Sequence, residues 1–269
     1  MRNDVVSLTG MYAKIVMKSW FQYKVDAVLR SVAVFLREST GIIVIYFTLQ
    51  KFNQLNGWNI NEMLFLFSFL FLTYGIMILF FTGLRDFSYL VRSGNFDRFL
   101  LRPRGILYQL IFCDADWFAA MGHGGLGIVL FIFSANKVHI SWNFYHVVYL
   151  IAAIIGGVLI QGAIFLVLAT MNIYLLETNS IKELFYWNMR KFAGYPISIF
   201  SKYIQAIMIY VVPFAFVNYF PTQFFLRKSD GVHFPQYFMY LSPLVGIVLF
   251  ALAYGFWKFS LIYYKSSGN

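Results

Sequence analysis

Few side chains in this sequence are of a type and spacing that could do chemistry. The four histidines, His123, His139, His146 and His233, are scattered, and the one cysteine is Cys113. A lone cysteine makes no internal disulfide and supplies no metal-ligand spacing. Asp116 and His123 lie two helical turns apart, too far to share a metal, and two ligands are too few. No G-x-x-x-x-G-K-[ST] run occurs, so the sequence offers no P-loop for ATP. An enzyme acting on lipid would need His, Asp, Glu, Ser or Lys clustered at one interface. A carrier that works alone on an ion gradient would need paired intramembrane charges and an inverted repeat. Neither pattern is evident.

Three groups of polar residues remain. Arg37 and Glu38 sit inside an otherwise apolar run. A central charge costs about 3 kcal/mol or more unless it is paired or hydrated. Neighbouring residues point about 100° apart on a helix, so these two are expected to seek other partners. They read either as snorkelling groups at the inner end of a span or as a gate or substrate contact. Asp116, Ala120, His123 and Gly127 share one helical face, and Asp114 points away from it. That face suits helix contact or a hydrated cavity, unless the aspartates are simply wet at the interface. The third group is a basic island, RDFSYLVRSGNFDRFLLRPRG, running from Arg85 to Gly105.

The surroundings of these groups are greasy. Of 269 residues, 60% are hydrophobic and 12% are charged, and the mean hydropathy is +0.68. A soluble domain carries roughly twice that charge. The chain therefore reads as an all-α integral membrane protein, one domain over 1–269. Spans of about 20 residues each leave room for roughly six. The net charge of +10 is explained by retention of cations on the cytoplasmic side rather than by nucleic acid.

In chain order, Leu8 to Arg30 reads as an amphipathic helix lying on the membrane (residues 1–30 in all). Leu8, Tyr12, Ile15, Val16, Trp20 and Tyr23 form one face, and Lys14, Lys18 and Lys24 project from the other. Spans are expected from about Ser31 to Gln50, Met63 to Gly83, Ile106 to Ser134, Val147 to Thr170, Ile197 to Phe220 and Tyr237 to Ile262. The third is long and impure, with a kink or an interfacial first part expected before Trp117. Glu177 to Pro196 reads as a second charged cytoplasmic stretch. Pro213 and Pro221 break the segment 213–236 into a re-entrant or outer piece, tolerated where protein buries it. Small-residue pairs at Ala152/Gly156, Ala153/Gly157 and Ala251/Gly255 predict close helix packing. With Arg37 set aside, this layout puts about sixteen Lys and Arg inside against four outside, so both termini and the island are expected in the cytoplasm.

The island, residues 84–105, reads as a short helix, a turn at Ser93-Gly94-Asn95, a second short helix and a stop at Pro103. Its run VRSGNFDRFLLRP resembles the permease subunits of type-2 ABC exporters, in particular a bacterial group of uncharacterised transport-system permeases. FAGYPISIF followed by VPFAFVNYFPTQFFL is similar to that group's second signature. The resemblance runs from end to end. It implies a half-transporter that pairs with a second six-span permease, identical or related, and with two ABC ATPase subunits. ATP and Mg would then sit on the partner ATPase, with no cofactor in this chain. The implied cargo is lipophilic or amphipathic, moved out of the cell by alternating access. The implied coupling helix carries onto Arg92, Gly94, Asn95, Asp97, Arg98, Arg102 and Pro103. Phe96 and Phe99, three apart, are expected to fill a pocket on the ATPase, with Arg98 and Arg102 meeting acidic groups at its rim. Arg37, Glu38, Asp116 and His123 are the candidates for pathway or gate.

This layout predicts that single cysteines at Ser93 and Ser229, in a Cys113→Ala background, react with an impermeant reagent from opposite sides. Labelling of Ser93→Cys in intact cells would overturn it.

Overall fold

The computed structural model describes residues 24–52, 54–113, 115–175, 177–228 and 234–264. Most of the expected N-terminal interfacial helix, and Asp114, lie outside the described residues. Those described fold into helices, with no strand beyond an isolated bridge between Leu55 and Trp58.

Polar caps set where the apolar runs start. Helix α1 (Lys24–Phe52) is followed by a turn and by α2 (Ile60–Arg85). Asn59 and Glu62 form a reciprocal capping box at the head of α2, which satisfies two otherwise orphaned amides. The basic island carries α3 (Phe87–Arg92) and α4 (Asp97–Leu100), with Gly94 at φ 68° between them. That left-handed turn costs glycine little. The expected third span is broken, as its polar start suggested, into α5 (Ile106–Cys113) and α6 (Trp117–Lys137). The Asp116 carboxylate accepts from the Ala119 amide to cap α6. Asn143 caps α7 (Phe144–Met171) in the same way, through the His146 amide. The last helix, α12 (Ser242–Leu261), has proline in its first turn.

Among the described residues, five helices are long and apolar enough to cross a membrane, α1, α2, α6, α7 and α12, and the bent pair Lys202–Val211 and Phe214–Leu226 passes the same test only when taken together. Helix α2 is the axis of the bundle, buried along most of its length from Met63 to Leu84. It packs antiparallel to α6, since Phe65 and Phe69 meet Phe131 while Gly75 meets Gly124. It runs parallel to α7, where Gly157 faces Thr73 and Gly162 faces Phe81. Helix α12 lies against α7 through Gly156 and Gly246. A Cβ on Gly246 would lie 2.5 Å from the Gly156 carbonyl oxygen, so the expected small-residue packing is real at Gly156 and Gly157. Gly255 meets nothing and Ala251 is exposed, so the Ala251/Gly255 pair plays no such part within this chain.

Between α7 and α12 the fold departs from the sequence reading. The stretch placed in a cytoplasmic loop, Glu177 to Pro196, is instead a crossing. It comprises α8 (Asn179–Lys182), a π-helical turn (Glu183–Asn188), α9 (Met189–Ala193) and a 3₁₀ turn (Ile197–Ile199). Lys182 Nζ donates to the Arg85 carbonyl at one end of α2, 3.1 Å away. Tyr186 and Arg190 lie against Tyr74 near the middle of α2. Gly194 meets Phe67, and the Ser198 carbonyl accepts from Asn56 beyond the far end of α2. The segment therefore traverses the whole length of α2.

The apolar run read as the fifth span is a hairpin that enters and leaves on one side. Its first arm is α10 (Lys202–Ala206) with a π-helical turn (Ile207–Val211). Its second is a 3₁₀ turn (Phe214–Phe216) with α11 (Tyr219–Leu226). The arms are bent by 75° at Val212 and Pro213, where proline cannot donate to the helix. Both feet stand beside the 55–62 turn. Ser198 bonds Asn56, and Lys228 Nζ sits 2.6 Å from a Glu62 carboxylate oxygen. Broken backbone in this position needs protein around it, and Asn218 Nδ2 donates to the Ala193 carbonyl at 2.6 Å. The break at Pro213 was legible, whereas the crossing itself lies one segment earlier than expected.

The correction is checked with single cysteines at the exposed positions Ser180 and Ser201, again with Cys113→Ala. They should label from opposite sides of the membrane. Labelling from the same side would restore the cytoplasmic reading of Glu177 to Pro196.

Candidate functional site

Crossing charges need partners, and the fold supplies them at the middle of α2. Arg190 Nη1 lies 3.5 Å from a Glu38 carboxylate oxygen on α1. Its guanidinium also covers the Tyr74 ring at 4.3 Å and approaches Phe71 at 5.8 Å. A cation over an aromatic face gains about 0.5–2 kcal/mol, the upper value when it is desolvated. The Arg190 and Glu38 side chains are only 12% and 13% exposed.

Arg37 does pair with its neighbour, against expectation. Its Nε and Nη2 reach one Glu38 oxygen at 3.1 and 2.9 Å. The two stems leave the helix at different angles, but the long arginine side chain, 68% exposed, swings back to close the gap. Glu38 thus stands between two guanidinium groups. Lys191 and Glu183 form a further ion pair at 3.6 Å on the crossing segment. These charges line a cavity of about 570 Å³ between α1, α2 and the crossing segment, with Trp187 and Tyr195 on its wall.

Of the other predicted pathway residues, His123 belongs to this neighbourhood. It is buried edge-on against Tyr74, with ring centroids 4.6 Å apart, and it does not line the cavity. Asp116 does not join it. That carboxylate is engaged in capping α6 and in a long 3.9 Å pair with Arg30. Ala120 and Gly127, on the same face, serve contact with α2 as the small-residue pattern suggested. Sequence reasoning missed Arg190, Lys191, Glu183, Trp187 and Tyr74. A signal was present: Glu177 to Pro196 is long enough to cross.

A buried polar network stands behind the cavity. Tyr186 OH donates to Gln161 Oε1 at 2.8 Å, and Gln161 Nε2 donates to Thr73 Oγ1 at 2.9 Å. All three are fully buried. The network fixes the π-helical turn to α2 and α7, and with it the position of Arg190 four residues on. Buried polar groups that satisfy one another specify a single arrangement.

The basic island forms the expected helix–turn–helix, but its aromatics point inward. Phe96 is fully buried and Phe99 is 8% exposed. Phe96 packs on Phe87 and Tyr264, at 4.7 and 4.9 Å between centroids, and reaches Trp257 of α12. Tyr264 OH donates to Asp97 Oδ1 at 2.8 Å. Partial burial and that bond push the phenol up to about 12. Gln109 of α5 donates to the Phe99 and Arg104 carbonyls, and Arg92 pairs with Glu177 at 3.1 Å. The expectation that Phe96 and Phe99 anchor a partner is therefore corrected: they anchor the island to its own bundle. The surface left free carries Arg92, Arg98, Leu100, Leu101, Arg102 and Pro103, with Leu101 87% exposed. Gly94 and Asn95 form the turn, and Asn95 bonds Ser93 Oγ at 2.9 Å.

Phe96→Ala should therefore destabilise the isolated permease by about 3–5 kcal/mol, as cavities in aromatic cores do. Leu101→Asp should leave it as stable as the parent. Thermal unfolding in detergent measures both, and equal midpoints for Phe96→Ala and parent would refute the inward packing.

Among the described residues, no group of three or more His, Cys, Asp or Glu is placed to hold a metal ion. Comparison with curated proteins and with solved structures found no match. The model of the ABC-2 family transporter proteins matches residues 35–268, from the Arg37–Glu38 pair through the island, the charged crossing, the hairpin and α12. The chain belongs to the ABC-2 family, as a multi-pass permease of an ABC transporter.

Proposed function

We propose that this permease is one half of an ATP-driven exporter and that the charged cavity beside α1 lies on its transport path. The observation that carries the reading is a charged group placed at the middle of α2 on a thinly covered face. Only 17% of the most apolar window of α1 is buried within the chain, against 78% for α2. Val28, Leu36 and Phe47 of α1 are more than half exposed, as is the Arg37 side chain. A guanidinium facing lipid at that depth is costly. Facing a second permease across a hydrated path, it is not. The second permease, identical or related, would cover α1. The cavity mixes ions with aromatic walls, which suits an amphipathic cargo.

Energy would come from partner ATPases. The free surface of the island supplies a handle for them: Leu100 and Leu101 to enter a pocket, with Arg98, Arg102 and Pro103 around it. Two bundle elements hold that handle, Gln109 on α5 and Trp257 on α12, so force on it reaches the bundle at two places. The excess of Lys and Arg at this end supports reading it, and both termini, as cytoplasmic. ATPase closure would then rock two permeases between inward and outward openings. The alternatives, a membrane enzyme acting on lipid or a carrier coupled to an ion gradient alone, draw no support from the described geometry.

The test is ATP hydrolysis by the purified permease–ATPase complex in nanodiscs. Arg37→Leu should leave the complex assembled at the parental ratio while hydrolysis falls several-fold, and Arg37→Lys should restore part of the rate. Parental hydrolysis and transport in Arg37→Leu would remove the cavity from the path and leave Arg37 a snorkelling side chain.

A further inference from the structure

The cavity beside α1 has an electrostatic imbalance that the chain does not resolve. Its lining includes Arg37, Arg190 and Lys191, and against them Glu38 and Glu183. Each carboxylate is already committed. Glu38 serves both arginines, and Glu183 serves Lys191. Three cations facing two anions leave one positive charge without a counter-charge among the described residues. At bilayer depth such a charge costs about 3 kcal/mol or more.

The hydrogen bonds show the same deficit at one side chain. Arg190 makes its bond to Glu38 through Nη1, at 3.5 Å. Its Nε and Nη2 are buried and have no hydrogen-bond partner. Nε and an adjacent Nη form the fork that receives carboxylates and phosphates in pairs of parallel bonds. Both atoms are closed to solvent, so an anionic head engages this fork only after the Arg190 side chain turns toward the cavity.

The rest of the lining is apolar or aromatic: Phe67, Leu70, Phe71, Trp187 and Tyr195. The volume of about 570 Å³ falls within the range of about 300–1,000 Å³ usual for ligand sites. Charge, unpaired donors and apolar walls together define a ligand with one anionic head and an apolar body. We infer that the cavity binds an anionic amphiphile, a carboxylate or phosphate head on an apolar tail, with the head beside the Arg37–Glu38–Arg190 cluster and the tail along Phe67, Phe71 and Trp187. This deepens the proposed transport path by naming its cargo class, and it rests on that reading for the step from binding to transport. Binding itself does not depend on it.

Trp187 on the cavity wall provides the readout. The permease–ATPase complex is placed in nanodiscs of zwitterionic lipid without nucleotide, and doxyl-labelled stearic acid is added. The signal is the quenching lost in Trp187→Phe. The acid should quench saturably, and its methyl ester, which keeps the tail and loses the charge, should bind about tenfold more weakly or worse. Arg190→Gln should weaken the acid by a similar factor, and Arg37→Gln, at an exposed side chain, by less. Unlabelled oleate and lysophosphatidate should both displace the probe, their order telling carboxylate from phosphate, while monoolein should not. Equal quenching by acid and ester would show that only the tail partitions, and would overturn the inference. So would unchanged acid affinity in both arginine variants, or displacement by monoolein as effective as by oleate. If the acid binds as described but Arg37→Leu hydrolyses ATP at the parental rate, the transport reading fails and the binding site stands. If the acid does not bind but that variant is slow, the path stands and its cargo is of another class.

Discussion

A guanidinium placed at half the depth of a membrane cannot be left alone, and much of this bundle follows from that. Arg190 needs Glu38, so α1 must lie beside the crossing segment. It needs the faces of Tyr74 and Phe71, so the crossing must run along α2. The Tyr186–Gln161–Thr73 network sets the angle of approach. The price of each buried polar group, a few kcal/mol if it is left unsatisfied, makes this set of contacts all-or-none. Removing Glu38 would strand Arg190, whereas removing exposed Arg37 strands nothing. That asymmetry separates the residue that holds the bundle together from the residue that faces the path.

Much of the architecture was legible because it depends on local pattern. Helices α2, α7 and α12 are almost purely apolar over a membrane's thickness, so length and composition suffice. The break before Trp117 was announced by aspartates, and the turn at Gly94 by its neighbours Ser93 and Asn95. The segment from Asn179 to Ile199 was not legible in this way. Its Arg190 is paired with a tertiary partner, Glu38, which a sliding window does not see. A span was expected instead from Ile197 to Phe220, because Pro213 reverses the chain without making it less apolar.

The site was half readable for the same reason. Arg37 and Glu38 stood out as charges in a greasy run, and their cost alone marked them. Arg190 did not, because it was surrounded by charges that made it look wet. Phe96 and Phe99 erred in the other direction. Three apart in a basic loop, they resembled an exposed pair, but a loop this short buries its aromatics against the nearest helix ends, here Phe87, Trp257 and Tyr264. Leu101, with no neighbour to cover it, was left outside.

The charged crossing also bears on how the chain is made. Inserted alone, a helix spends about 2.5–3.5 kcal/mol on each central charge and gains only about 0.3–0.6 for each large apolar residue. Lys182, Glu183, Arg190 and Lys191 together outweigh what Ile181, Leu184, Phe185, Phe192 and their neighbours return. The segment therefore does not partition into lipid as an independent unit. Glu38 and Tyr74 precede it in the sequence, so during synthesis its counter-charge and its aromatic cover reach the membrane first. Insertion of this helix is then an act of tertiary folding, and the completed topology depends on the earlier helices remaining close enough to receive it.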